Sequence, residues 1–310
     1  MPAKIIWIWA CSFLCLLNSC NQEEILIWAP QDVEATVHLL LPPSLSAEKE
    51  GAHPYLILSV FDPRKGKEVI RTNTNLFNLL KRNDTSFHPK EQSKLLEIEW
   101  GTLKLSMGDY ILLSWIDYRR TPEASNYYNT SDLQRVTLKE VKENGVKDAY
   151  AACTAVHINK VKDQLVNLTF HSPISIYRFL INTSSDKFLG KRLLLEHQGY
   201  YPIAYNVLEG RCTSAIHKPQ WNQNIFQQGE GMIHLMEGIH FIDNNHPTTQ
   251  QFNLYIGNTA GHLLYEAKQI SVSLEPGKLT KKVLEENVFQ DYTQNGIIDD
   301  EFSGDINIEI

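Results

Sequence analysis

The sequence predicts an all-β protein: two tandem antiparallel β-sandwich domains behind a short apolar leader. Three observations predict it. An apolar run at the start ends just before Cys20, a period-two alternation of apolar and polar residues recurs along the rest of the chain, and clusters of Gly, Pro, Asn and Asp separate the alternating segments.

The leader comes first. Ile5 to Leu17 is apolar, but it falls short of the ~20 residues that a membrane-spanning helix needs and has the length of a signal-peptide core. Lys4 precedes it, and Asn18 and Ser19 separate it from Cys20, so residues 1–19 are expected to be removed on export. Leu17-Asn18-Ser19-Cys20 resembles the lipobox of bacterial lipoproteins, in which the cysteine thiol is acylated and becomes the new N-terminus. That resemblance implies lipidation of Cys20, with palmitate among the acyl chains, and several chains on one residue anchor a protein stably where one does not. The polar stretch Asn21-Gln22-Glu23-Glu24 resembles the short acidic signal that sends lipoproteins of Gram-negative anaerobes to the outer leaflet; a solvated spacer is the other reading.

The alternating segments follow in order. Val33, Ala35, Val37, Leu39 and Leu41 alternate with Glu34, Thr36 and His38, and Pro42-Pro43 ends this strand. YLILSVF (55–61) runs into DPRKG, where Pro63 presets the backbone and Gly66 permits positive φ, which predicts a hairpin. LLEIEW (95–100), GDYILLSWIDY (108–118), LVNLTF (165–170), ISIYRFLI (174–181), QFNLYIG (251–257) and QISVSLEPGK (269–278) repeat the pattern. Helical periodicity is scarce: NLFNLLKR (75–82) and SDLQRVTLKEV (131–141) are the two candidates for short helices. A strand ends at Phe170 and another begins at Ile174, with Pro173 against continuation, so the domains are expected at residues 20–172 and 173–310.

Composition bounds the partners. With 36 acidic and 29 basic residues the net charge is −7, and no basic stripe is present to follow a phosphate backbone, so nucleic acid is excluded as the expected partner. Of five cysteines, Cys11 and Cys15 fall in the leader and Cys20 is the lipidation site; Cys153 and Cys212 remain, able to pair in an oxidising compartment or to stay as separate thiols. No G-x-S-x-G elbow, P-loop, H-E-x-x-H or Cys-x-x-Cys is present, so the chain is not expected to be an enzyme and no cofactor is expected. His234 and His240 flank Glu237, but on a strand they stand roughly 20 Å apart, too far to share an ion unless Gly238 makes a sharp turn. Asp299, Asp300, Glu301 and Asp305 offer oxygen ligands without an EF-hand spacing and read as a solvated loop; no metal is expected. The sequons at Asn83, Asn129, Asn167 and Asn182 carry little meaning in a bacterial lipoprotein.

Five motifs carry a resemblance. Tyr110, Leu112, Trp115, Asp117 and Tyr118 lead to Tyr127-Tyr128-Asn129-Thr130 and then to Asp148-Ala149-Tyr150; YYPIAYNVLEG (200–210) and NGIIDDEFSGDINIEI (295–310) follow. In this order they resemble a fimbrillin-like outer-membrane lipoprotein family grouped with fimbrial anchor proteins. His171-Ser172-Pro173 departs from that family's basic-proline linker. The resemblance implies transthyretin-like, fimbrillin-like sandwiches and a surface anchor or accessory subunit of a fimbria-like adhesive assembly. It also implies fimbrial subunits as partners, joined by strand complementation. Ile306, Ile308 and Ile310 alternate with Asp305, Asn307 and Glu309 as a possible donor strand, or as the protein's own last strand. The first strand starts shortly after Cys20, which favours a retained anchor over a subunit released from a long leader. Within the motifs, Trp115 and Tyr110 read as core anchors and Asp117 as a loop-ordering acceptor. A surface glycan-binding lipoprotein is the alternative, given 6 Trp and 13 Tyr, and it requires the Tyr127-Tyr128-Asn129 loop to expose its rings.

Overall fold

The structure is a computed structural model describing residues 32–83, 95–122, 127–139, 145–159, 164–183, 185–225, 227–229, 231–243 and 246–293. The first group of strands is β1 (Val33–Leu41), β2 (His53–Asp62), β3 (Lys67–Asn75), β4 (Leu96–Leu105), β5 (Gly108–Arg119), β6 (Tyr128–Asn129), β7 (Val136–Leu138), β8 (Ala149–Ile158) and β9 (Gln164–Thr169), with helix α1 (Phe77–Asn83) between β3 and β4. The second is β10 (Ile174–Asn182), β11 (Arg192–His197), β12 (Tyr200–Asn206), β13 (Arg211–His217), β14 (Gln220–Asn224), β15 (Gln227–Gly229), β16 (Met232–Phe241), β17 (Thr248–Gly257), β18 (Leu263–Leu274), β19 (Leu279–Glu285) and β20 (Gln290–Asp291).

The two groups share one topology. In the first, sheet β4-β1-β9 faces sheet β3-β2-β5-β8; in the second, β16-β10-β19 faces β14-β11-β17-β18, with β15 added beside β16 and β20 beside β18. In each, the opening strand is antiparallel to one neighbour and parallel to the other: β1 with β4 and β9, β10 with β16 and β19. Both also carry a register shift on the antiparallel side, at Val37/His38 and at Phe179/Leu180.

The alternation explains the sandwiches. Ala35, Val37, Leu39 and Leu41 of β1 point one way into a core with Leu56, Leu58 and Val60 of β2 and Leu112 and Ile116 of β5. Phe179 and Ile181 of β10 do the same against Leu193, Leu195, Phe252 and Leu254. The β2–β3 hairpin forms as expected, with Gly66 at φ +61° after Asp62, whose carboxylate caps the turn by accepting from the Arg64 amide at 3.0 Å.

What differs is the inserted pieces. The helix expected over 131–141 does not form in its described part, residues 131–139: β7 takes Val136–Leu138, and Leu133 and Val136 are buried, because a β-branched pair, Val136-Thr137, finds an extended partner in β12. β6 and β7 lie between β5 and β8, and β12 and β13 lie between β11 and β14. The two insertions pair with each other, through Ala204↔Thr137 and Tyr205↔Val136, into a four-stranded sheet ordered β13-β12-β7-β6. Each sandwich thus contributes one hairpin to a sheet that neither owns.

Candidate functional site

The seam under this sheet gathers the motif residues. β5 presents two faces: Tyr110, Leu112 and Tyr118 turn into the first sandwich, whereas Leu113 and Trp115 turn outward into a third core. That core also takes Tyr127, Tyr128 and Val136, Ala149 and Ala151 of β8, Tyr205 of β12, and Ile239 and Phe241 of β16. Trp115, wholly buried, meets the Tyr128 ring edge-on at 5.2 Å and lies 6.4 Å from Tyr205, which stacks on Phe241 at 6.0 Å. Trp115 is therefore a core anchor as the alternation implies, but of the seam rather than of the first sandwich's interior.

Polar groups fasten the rim. The Lys147 ammonium meets Glu237 Oε1 at 2.5 Å, and Arg178 Nε meets Glu237 Oε2 at 2.6 Å. Burial raises the Glu237 pKa, yet these two cations outweigh it and hold the carboxyl below its ordinary value. The Tyr201 hydroxyl donates to the Ile239 carbonyl, and the Asp243 carboxylate accepts from the Cys212 amide at 2.7 Å. Tyr128 donates to the Lys147 carbonyl; burial first, then Asp117 and Asp148, keep its phenol protonated far above the usual range.

Other motif residues hold the β1–β2 connection. Tyr118 accepts from the Ser46 amide at 2.9 Å and donates to the Ser46 carbonyl at 2.8 Å, Tyr150 bonds Ser44 at 3.1 Å, and Asp148 pairs with Lys49 at 3.3 Å. Asp117 orders its surroundings through a partner that the sequence did not point to: Arg119 Nε donates to it at 2.6 Å, with both side chains buried and the guanidinium over the Tyr55 ring.

The remaining candidates separate. Cys20 and the possible donor residues Ile306, Ile308 and Ile310 lie outside the described residues, as does the acidic run at 299–305. Cys153 on β8 and Cys212 on β13 stand as free thiols, exposed and half-buried, so the pairing open to them is not formed here. They lie on strands of different sheets near Tyr205; burial first, then Cys212, Asp243 and Cys153, raise the Tyr205 pKa. β16 runs without a turn through Gly238, so it keeps His234 and His240 apart. Tyr127 and Tyr128 are 5% and 1% exposed, which removes the loop as an aromatic platform for a glycan. Sequence reasoning missed Lys147, Arg178, Arg119 and Phe241 and named Glu237 only as the residue between two histidines: Lys147 reaches Glu237 across the seam, where no short-range period marks it, while Arg178 faces Glu237 in the β10–β16 pair and Arg119 turns back on Asp117.

Among the described residues no helix is long and apolar enough to cross a membrane. The profile of a family of unknown function (DUF6562) matches residues 56–310. No curated protein matches the chain. Solved structures resemble it loosely. A candidate adhesin from Bacteroides ovatus ATCC 8483 is 11% identical, with 86% of this chain and 96% of that one covered, at a TM-score of 0.48. A candidate polysaccharide-binding protein from Bacteroides thetaiotaomicron is 12% identical, with 75% and 79% covered, at 0.45. The fimbrial anchor protein Mfa2 from Porphyromonas gingivalis is 10% identical, with 76% and 82% covered, at 0.42. At this level of similarity none of them carries a functional argument.

Proposed function

The chain belongs to the family of unknown function DUF6562, and from that premise we propose that it is a surface-exposed outer-membrane lipoprotein, anchored by lipid on Cys20, that serves as anchor or accessory subunit of a fimbria-like adhesive assembly. The reading takes residues 20–172 and 173–310 as its two domains and fimbrial subunits, joined by strand complementation, as its partners. It is a binding and scaffolding role, not an enzymatic one.

The observation that carries it is the seat of β1. This strand, which begins at Val33, is paired on both sides, antiparallel to β4 and parallel to β9, with four apolar side chains in the first core. Residues 21–32 alone separate it from Cys20. A chain whose first strand is both tethered nearby and locked in its own sheet is suited to staying at the membrane while neighbours attach elsewhere. The lipobox-like start and the order of the motifs support the same reading.

The test is fractionation of cells carrying Cys20→Ala. The expected result is loss of membrane retention and of label from radioactive palmitate, together with loss of fimbrial subunits from surface crosslinks. Unchanged retention and cleavage would overturn the lipid anchor; retained lipid with no fimbrial subunit crosslinked would overturn the assembly role.

A further inference from the structure

A bend on the outer face of the second sandwich carries an exposed ring. β11 runs on into β12 through Gln198 and Gly199 alone, and β13 into β14 through Lys218 and Pro219, so the strands make one long antiparallel pair that leaves its sandwich sheet to join the seam sheet. The pair stays bonded through the bend: the His197 amide donates to the Pro219 carbonyl at 3.0 Å and the Lys218 amide to the Gly199 carbonyl at 2.7 Å. Register moves from Glu196↔Gln220 to Tyr200↔His217, with residues 197–199 facing 218–219, which is a bulge. Lys218 holds φ +46° there, a left-handed conformation that a non-glycine residue keeps only where its surroundings impose it.

Leu195, His197 and Tyr201 point inward and are buried, so Glu196, Gln198 and Tyr200 share the outward face, with Gln220 and His217 opposite them. Among the described Phe, Trp and Tyr residues Tyr200 alone is exposed, at 71%. The His217 ring packs against it at 5.0 Å, tilted by 57°, so the phenol is backed on one side and open to water on the other. Planar polar groups continue the face. Glu196 Oε2 accepts from Gln220 Nε2 at 2.8 Å, and Oε1 accepts from the buried Asn253 Nδ2 at 3.1 Å and from the Gln198 side-chain amide. The carboxylate is thus occupied by amide N–H groups, whereas the Gln198 and Gln220 carbonyls and the Tyr200 hydroxyl make no hydrogen bond among the described residues.

This combination matches the chemistry of a sugar. The C–H face of a pyranose stacks on an aromatic ring, and its hydroxyls donate to amide carbonyls and accept from amide N–H groups lying to the side. A protein partner is a poorer fit, because no other large apolar side chain of β11 to β14 is exposed to extend Tyr200 into a contiguous patch. We infer that the bend is a saccharide site, in which Tyr200 stacks on a pyranose, Gln198 and Gln220 bond its hydroxyls, and Glu196 holds both amides in place. It lies apart from the Tyr127-Tyr128-Asn129 loop, whose rings are buried. The inference does not rest on the proposed anchor role, because sugar binding is read on the purified chain whatever its address.

Saturation-transfer NMR on the purified mature chain, with maltotetraose, mannotetraose, galactotetraose and chitotetraose as probes, tests it. At least one probe is expected to receive saturation at millimolar sugar, and Tyr200→Ala is expected to weaken its binding about tenfold with the melting temperature unchanged. Gln198→Ala/Gln220→Ala is expected to weaken binding as well, while Tyr200→Phe, which keeps the ring, retains it. No saturation of any probe, or binding that survives Tyr200→Ala, would overturn the site. Loss of surface crosslinks to a protein neighbour in Tyr200→Ala, with sugar binding intact, would also overturn it and assign the face to that partner.

Discussion

Lys147 and Glu237 lie 90 residues apart and meet at 2.5 Å, one from the run before β8 and the other from β16, so a single ion pair ties one sandwich to the other. Arg178 grips the second oxygen of the same carboxylate. Glu237→Gln is expected to cost about 1 to 2 kcal/mol, a figure discounted because both side chains still see water. Urea unfolding of Glu237→Gln, Lys147→Met and the double variant checks it: a coupling energy indistinguishable from zero would rule the bridge out as a seam contact. The pKa of Glu237 is lowered in the fold, so its contribution is present above the ordinary carboxylate value and is lost as pH falls through the depressed one.

Removing Trp115 strips the centre of the seam. Trp115→Ala is expected to destabilise the protein by about 3 to 5 kcal/mol. Because the ring touches Tyr128 and approaches Tyr205, protease sensitivity is expected to rise at the β12–β13 hairpin as well as in the first sandwich. Cleavage confined to the first sandwich would contradict a shared core.

Acid is expected to weaken the second sandwich. His197 and His240 are buried with ring centroids 6.1 Å apart and Tyr201 packed against both. Burial lowers the His240 pKa to about 4, against a hydrogen bond to the Phe241 carbonyl that raises it and the neighbouring His197 that lowers it; burial also lowers the pKa of His197, against its bond to Gln250. Between pH 6.5 and pH 4 the unfolded chain binds the protons that the fold excludes, so stability falls with pH across that window, by about 1 to 3 kcal/mol. His240→Phe is expected to flatten the pH profile of the melting temperature; an unchanged slope would clear the imidazole of the effect.

Gly238 faces Tyr177 across the β10–β16 pair, and a methyl group there would run into the phenol. Gly238→Ala is expected to cost about 1 to 3 kcal/mol, while Gly231→Ala, with open space but a φ of +76°, reports backbone strain alone. Equal losses at the two sites would mean that Tyr177 moves aside freely.

The alternating half of the fold was legible in the sequence. β1, β2, β5, β9, β10, β17 and half of each of β4 and β18 declare themselves because one face of each feeds a core. β13 did not: in Arg211–His217 exposed and half-covered residues alternate, and a strand without a deeply buried row has little apolar signal. β7 reads as helix because Leu133 and Val136 are spaced three apart, and three paired residues are too few to show period two. The seam was the least readable part, since its contacts join residues far apart in the chain. Tyr127 and Tyr128 looked like a surface loop from their Asn-Thr-Ser neighbours, yet Tyr128 lies on β6 of the sheet that the two hairpins build together, and both rings are buried in the third core.

The seat of β1 also decides how the molecule answers a pull. With Cys20 as the proposed lipid anchor, a load from the membrane side would enter at Val33 and run along a strand bonded on both flanks over most of its length. The hydrogen bonds to β4 and β9 lie across that direction, so they are strained together in shear rather than peeled apart one rung at a time. Withdrawal of the strand would also drag Val37, Leu39 and Leu41 through the first core at the same moment.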